Sequence, residues 1–199
     1  MTQNNISEIS LDDPRMGLAK AVDAVGSLIA TVDEEQLLLP TPCTDFTVKD
    51  LIEHLAMVMK RVAILGNGGK WNEVDESMFE MESGHADAFR QGAHETMEAW
   101  TDASKLERVI EVPFGELPGG AALLVYTAEV ATHGWDLATA LGTTIEIEDR
   151  FLHAALGAAK VLPADGRGEP GMPFDAVVEP DADAPILLHI AGWLGRKVA

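Results

Sequence analysis

The sequence predicts an all-α protein: a four-helix bundle with additional short helices and a minor extended segment. Three observations carry that expectation. Apolar residues recur at three- and four-residue spacing through four stretches, the signature of helices burying one face. Proline and glycine clusters separate those stretches. Only 108–112 alternates as a half-buried strand does. At 199 residues the chain is expected to form one domain over 1–199, with 1–12 a flexible leader.

The first helix follows Asp12-Asp13-Pro14, which supplies an N-cap and a first-turn proline. Leu18, Ala21, Val22, Val25, Leu28, Ile29 and Val32 then recur at helical spacing. Pro40 and Pro42 make 39–46 a connector, since proline disfavours helix on and before it. Thr47-Val48-Lys49-Asp50 resembles a capping box, with a hydroxyl and a carboxylate able to satisfy free backbone donors. Leu51, His54, Leu55, Val58, Val62 and Leu65 continue from it as one face, and Gly66, Gly68 and Gly69 end the helix.

An acidic connector covers 71–82, with Asp75, Glu76, Glu80 and Glu82 as a solvated face. A third helix starts near Ser83 and carries Ala86, Phe89, Ala93, Met97 and Trp100. Pro113 and Pro118-Gly119-Gly120 break the chain before a long helix over 121–141, with Gly142 as its C′ residue. A fifth helix is expected over 149–162, closed by Pro163. A loop over 164–173, an extended stretch over 174–178 and a final apolar helix over 185–194 follow. Four principal helices with additions imply a bundle.

Composition excludes several roles. The formal charge of −19, with the fourteen Lys and Arg scattered, repels a phosphate backbone, so no nucleic-acid partner is expected. No apolar run approaches the length of a membrane span. The polar, acidic start lacks the pattern of a secretory signal, which makes the cytoplasm the expected location. The single cysteine, Cys43, excludes an intrachain disulfide and a Cys-rich zinc knuckle. It sits in the proline-rich connector with no adjacent His or Lys, which favours a structural thiol over a nucleophile.

A metal site would therefore use histidine and carboxylate. On the long helix Glu129 and His133 stand four apart, so both side chains reach a common point. They share a side with Ala122, Tyr126, Leu137 and Ala140, and polar groups on such a stripe are costly unless something satisfies them. His54 has the same character on the second helix. Three donors from two inward faces can converge in a bundle core. One carboxylate and two imidazoles suit zinc with an open position, and also iron or nickel. A hydrogen-bonded core histidine and an ion pair within the helix are the other readings of the same residues. Trp135 is a candidate pocket wall, and also a core anchor. Asp136 either orients a ligand by accepting its outer proton or faces solvent. His85, His94, His153 and His189 are read as surface or packing residues.

The run Leu39-Pro40-Thr41-Pro42-Cys43-Thr44-Asp45-Phe46-Thr47-Val48-Lys49-Asp50-Leu51-Ile52-Glu53-His54 resembles the opening signature of an actinobacterial family. That family is the mycothiol-dependent maleylpyruvate isomerase N-terminal-domain group, within the DinB-like bundles. Glu129-Val130-Ala131-Thr132-His133-Gly134-Trp135-Asp136-Leu137-Ala138 is similar to its second signature, and Leu194-Gly195-Arg196 to the ending of a short branch. The resemblance implies a DinB-like fold and a divalent metal, typically zinc, on His54, Glu129 and His133. It implies mycothiol as a co-substrate and a small electrophilic substrate, hence a thiol transferase or isomerase. The family's characterised isomerase carries a further C-terminal domain, which this chain is expected to lack. A non-catalytic metal- or small-ligand-binding bundle is the alternative, and a homodimer is a candidate assembly.

Overall fold

The computed structural model describes residues 13–44, 46–74, 84–113, 115–161, 167–168 and 175–198. The expected leader, the connector beyond Val74 and most of the loop over 164–173 lie outside them. Six α-helices are described: α1 (Pro14–Ile29), α2 (Val48–Gly66), α3 (His85–Ala99), α4 (Gly119–Ala140), α5 (Asp149–Ala159) and α6 (Ile186–Trp193). Helix α1 packs on α4, α4 on α2, α2 on α3, and α3 back on α1, which closes a four-helix ring. Helices α5 and α6 pack on each other and on α4. The architecture is the all-α bundle that the periodicities imply, with a small extended addition.

Local chemistry sets where the helices begin. Asp13 caps α1, accepting from the Arg15 backbone N–H at 2.9 Å, with Pro14 in the first turn. Helix α2 opens with the expected capping box. The Thr47 hydroxyl accepts from the Asp50 N–H at 3.3 Å, and Asp50 accepts from the Thr47 N–H at 2.9 Å.

Glycines set where α2 and α4 end. Behind α2, Gly68 N–H donates to Leu65 O and Gly69 N–H to Ile64 O. Behind α4, Gly142 N–H donates to Thr139 O and Thr143 N–H to Ala138 O. This paired pattern is the Schellman motif, and it needs a left-handed C′ residue. Gly68 and Gly142 supply φ of 89° and 67°.

Three details sharpen or correct the sequence reading. The stretch 108–112 is a true strand, β1 (Val109–Val112), because an unforeseen partner, β2 (Gly115–Pro118), pairs with it antiparallel, Ile110 opposite Leu117. Helix α4 begins at Gly119 rather than Ala121, so the two glycines are helical and do not break the chain. Helix α5 stops at Ala159, where the Val161 N–H turns back to Ala158 O in a tightened last turn. Of the stretch expected to be extended, 175–178 is described and belongs to no regular element, with Val178 N–H held by Gly192 O at 2.9 Å.

The core sits where α4 passes through its neighbours. The stripe through Tyr126, His133 and Leu137 is only part of its buried surface. Val130, Ala131 and Ala138, on other faces, are sealed as well. A helix apolar all round is what a central position requires, since α1, α2, α5 and α6 all touch it. Between α2 and α3, two buried polar groups are satisfied across the interface. Thr96 Oγ1 donates to Met59 O at 2.6 Å, and Trp100 Nε1 to Val62 O at 2.8 Å.

The start of α4 offers a test of packing against propensity. A Cβ on Gly119 would lie 2.4 Å from the Lys105 carbonyl oxygen and 2.7 Å from the Trp100 ring. Helix propensity alone predicts that Gly119→Ala stabilises by about 0.5–1 kcal/mol. The contact reverses the sign, and a loss of about 1–3 kcal/mol in urea unfolding is expected.

Candidate metal centre

The phase of α2 is fixed by its capping box, which places His54 in the second turn facing α4. Glu129 and His133 stand one turn apart on α4 and meet it. His54 Nε2 lies 3.3 Å from Glu129 Oε1. The His54 and His133 rings stand nearly perpendicular, with centroids 4.8 Å apart. One ligand atom from each of His54, Glu129 and His133 lies within 4.8 Å of the other two. Phe46, from the connector, closes one side of the group, its ring 5.6 Å from that of His54.

Burial is graded across the trio. The side chains of Glu129 and His54 keep 29% and 20% of their exposure, and His133 keeps 10%. The group therefore opens toward solvent on the Glu129 side and closes toward α6.

Its electrostatics follow from that gradient. Burial by itself would push the Glu129 carboxyl up, but the hydrogen bond and charge of His54, with His133 and Arg61, hold it below its ordinary value. Burial pushes His133 down, against the opposing pull of Asp136. An ionised carboxylate beside a neutral imidazole is the protonation pattern that metal ligation needs. The Tyr126 hydroxyl, a turn before Glu129, is buried with no hydrogen-bond partner among the described residues. Burial, and then the Glu129 charge, push its pKa up, so it keeps its proton.

These donors fit a divalent ion. Tetrahedral ligation at zinc–nitrogen and zinc–oxygen bond lengths separates two donor atoms by about 3.3 Å. His54 and Glu129 already stand at that spacing.

Asp136 settles between its two readings. Its side chain has no exposure and stands 3.0 Å from His133 Nδ1, so it does not face solvent. Its charge partner is Arg196, whose Nε approaches both carboxylate oxygens at 2.8 and 3.0 Å. Sequence reasoning missed Arg196, because the two residues are 60 positions apart and no spacing rule joins them. Cys43 also lies nearer the site than its connector suggested. A second set of donors, from Cys43, His133 and Asp136, falls within 4.8 Å, and Cys43 is within electrostatic reach of Arg196. Trp135 is half-buried against the core; two residues on from His133, it projects from another side of α4. His94 is exposed, and His85 lies near Glu53, apart from the trio.

Comparison with known proteins places this geometry in a family. Residues 18–138 match the family described as the mycothiol maleylpyruvate isomerase N-terminal domain. The chain belongs to that family. All three donors of this mycothiol maleylpyruvate isomerase N-terminal-domain protein, and Asp136, fall within the matched stretch, whereas Arg196 lies beyond it. Two uncharacterized proteins of Mycobacterium tuberculosis, from strains CDC 1551 and H37Rv, are each 31% identical over 94% of this chain and 99% of their own length. Among solved structures, the mycothiol-dependent maleylpyruvate isomerase and a histidine-to-alanine mutant of it share the fold. The TM-scores are 0.55 and 0.58 at 15% identity, over 80% of this chain and 70% of the other. No helix among the described residues of this family member is long and apolar enough to cross a membrane.

The buried Asp136 gives a pH test. Burial alone would raise its pKa, but the hydrogen bonds of His133 and Arg196 outweigh it and hold the carboxyl low. A folded-state value below the unfolded one, about 3.9 for aspartate, gives stability that is complete above that pH. It drains as pH falls through the folded value. Below about pH 4 the urea midpoint of the wild type is expected to fall more steeply than that of Asp136→Asn.

Proposed function

We propose that this chain is a divalent-metal-binding, mycothiol-dependent enzyme, a thiol transferase or isomerase acting on a small electrophilic substrate. The observation that carries it is the convergence of His54, Glu129 and His133 from two helices onto one point. Membership of a family named for a mycothiol isomerase supports the thiol. His54, Glu129 and His133 would hold the ion, with zinc the first candidate. When bound, a divalent ion supplies the charge that keeps a small thiol deprotonated near neutral pH.

The chain's own groups supply the rest. Glu129 and His133 present the ionised and neutral forms that ligation requires, at no cost in proton release from the site. Phe46 covers the His54 ring and excludes water from that side. The Tyr126 hydroxyl keeps its proton and offers a donor to a molecule entering beside Glu129. The half-exposed Glu129 side is the route by which thiol and electrophile reach the donors.

Metal analysis of the purified protein is the first test, with about one divalent ion per chain expected for the four-coordinate site. His133→Ala should abolish most of it, and unchanged content would remove the proposed ligand set. Thiol transfer to an electrophilic acceptor should require mycothiol and disappear on chelation. Activity indifferent to both would sink the enzymatic reading, and a metal-loaded protein without activity would leave a binding bundle in its place.

A further inference from the structure

Asp136 is a carboxylate with no solvent exposure, near the C-terminal end of a central helix. Such a group is costly unless it is paired and its lone pairs are used. Here the groups that contact it, His133 and Arg196, are donors. His133 Nδ1 approaches Oδ2 at 3.0 Å. Arg196 Nε approaches Oδ1 at 2.8 Å and Oδ2 at 3.0 Å, and Arg196 Nη2 approaches Oδ2 at 2.9 Å. A guanidinium has five N–H donors and no acceptor. A carboxylate facing it is left as pure acceptor toward its remaining neighbour, His133.

The C-terminal turn brings Arg196 to that place. Helix α6 ends in a Schellman motif. Gly195 N–H donates to Gly192 O at 3.1 Å and Arg196 N–H to Ala191 O at 2.9 Å, with Gly195 at φ 88°. The turn reverses the chain against Asp175, whose backbone lies 2.8 Å from where a Gly195 Cβ would be. Arg196 also donates from Nη1 to Leu194 O at 3.2 Å, and its side chain keeps only 13% of its exposure. The guanidinium is thus held on both its own turn and Asp136.

We infer that Arg196 is a positioning residue of the metal centre: clamped by the α6 turn, it fixes Asp136, which holds His133 as its Nδ1–H form with Nε2 turned to the donor cluster. A histidine ligand whose other nitrogen donates to a carboxylate has its tautomer and ring angle set before the ion arrives. This chain adds a third member to that arrangement, drawn from the C-terminal turn rather than from the bundle. The inference rests on the reading of His133 as a ligand, but the tautomer stands on the geometry alone.

Two readouts separate the inference from the metal reading. Zinc affinity, measured by chelator competition, is expected to fall about 10–100-fold in Arg196→Gln, as for loss of an outer hydrogen-bond partner. Arg196→Lys keeps the charge without the fork and should recover part of the affinity. In Asp136→Asn, adding Arg196→Gln should change affinity little further, because both act through one imidazole. Nitrogen-15 NMR of His133 in the metal-free protein should show a single Nδ1–H tautomer in the wild type and a mixture in Arg196→Gln. Wild-type zinc affinity in a folded Arg196→Gln would overturn the inference, as would additive effects in the double variant. If the wild type binds no zinc, the metal reading fails and the tautomer measurement alone decides. If Arg196→Gln does not fold, Arg196→Lys and the wild-type spectrum decide: an Nε2–H wild-type tautomer overturns the inference.

Discussion

A buried charge pair between the central helix and the C-terminal turn is the constraint on which the site depends. Asp136 has no contact with water, and Arg196 has little. Removing either partner leaves an uncompensated charge at a cost of about 3–5 kcal/mol. The pair therefore joins two regions that share no sequence neighbourhood. It ties the end of α6 to α4, and through Asp136 it reaches a histidine that faces the donor cluster. The same carboxylate that ties α6 to α4 also contacts His133 Nδ1.

The bundle makes such a cluster possible by closing around α4. Four neighbouring helices leave that helix almost no solvent-facing side, so its polar residues must find partners within the protein. Three of them do so in different ways. Thr127 returns its hydroxyl to Leu123 O at 2.8 Å, Asp136 pairs with Arg196, and Glu129 meets His54. Among these residues Glu129 keeps the largest exposure, 29% of its side chain. Close packing enforces the register between helices. Gly66 and Gly134 each stand where a Cβ would come within 3 Å of a side chain on a neighbouring element.

Helices were legible where local chemistry decides them. The Asp13 cap, the Thr47/Asp50 box, and the glycines behind α2 and α4 each act within a few residues, and the structure uses them as expected. Gly119 and Gly120 show where such reading fails. Their composition speaks of a chain break, yet α4 begins at Gly119, where a Cβ would meet Lys105 O and the Trp100 ring. Strand β1 was legible only as alternation, since its partner β2 opens on Gly115 and closes on Pro118, which carry no strand signal. The burial of α4 on all sides was hidden for a related reason. Small residues such as Ala128, Ala131 and Ala138 do not announce which face is inward, and several helices must assemble before the question has an answer.

The same division runs through the site. His54, Glu129 and His133 could be singled out from the sequence, because helical periodicity is a short-range property and places each on an inward stripe. That α2 meets α4 at the height that brings His54 to 3.3 Å from Glu129 is a result of packing. Asp136 was visible with two fates, and Arg196 only as part of a terminal Leu-Gly-Arg ending. Their meeting required α6 to fold back across α4 and a left-handed Gly195 to aim the guanidinium. The sequence alone determined which helices form and that His54, Glu129 and His133 lie on inward stripes, since those follow from neighbours three or four positions away. Tertiary structure decided which of those residues share a site, since that depends on contacts between segments no local rule connects.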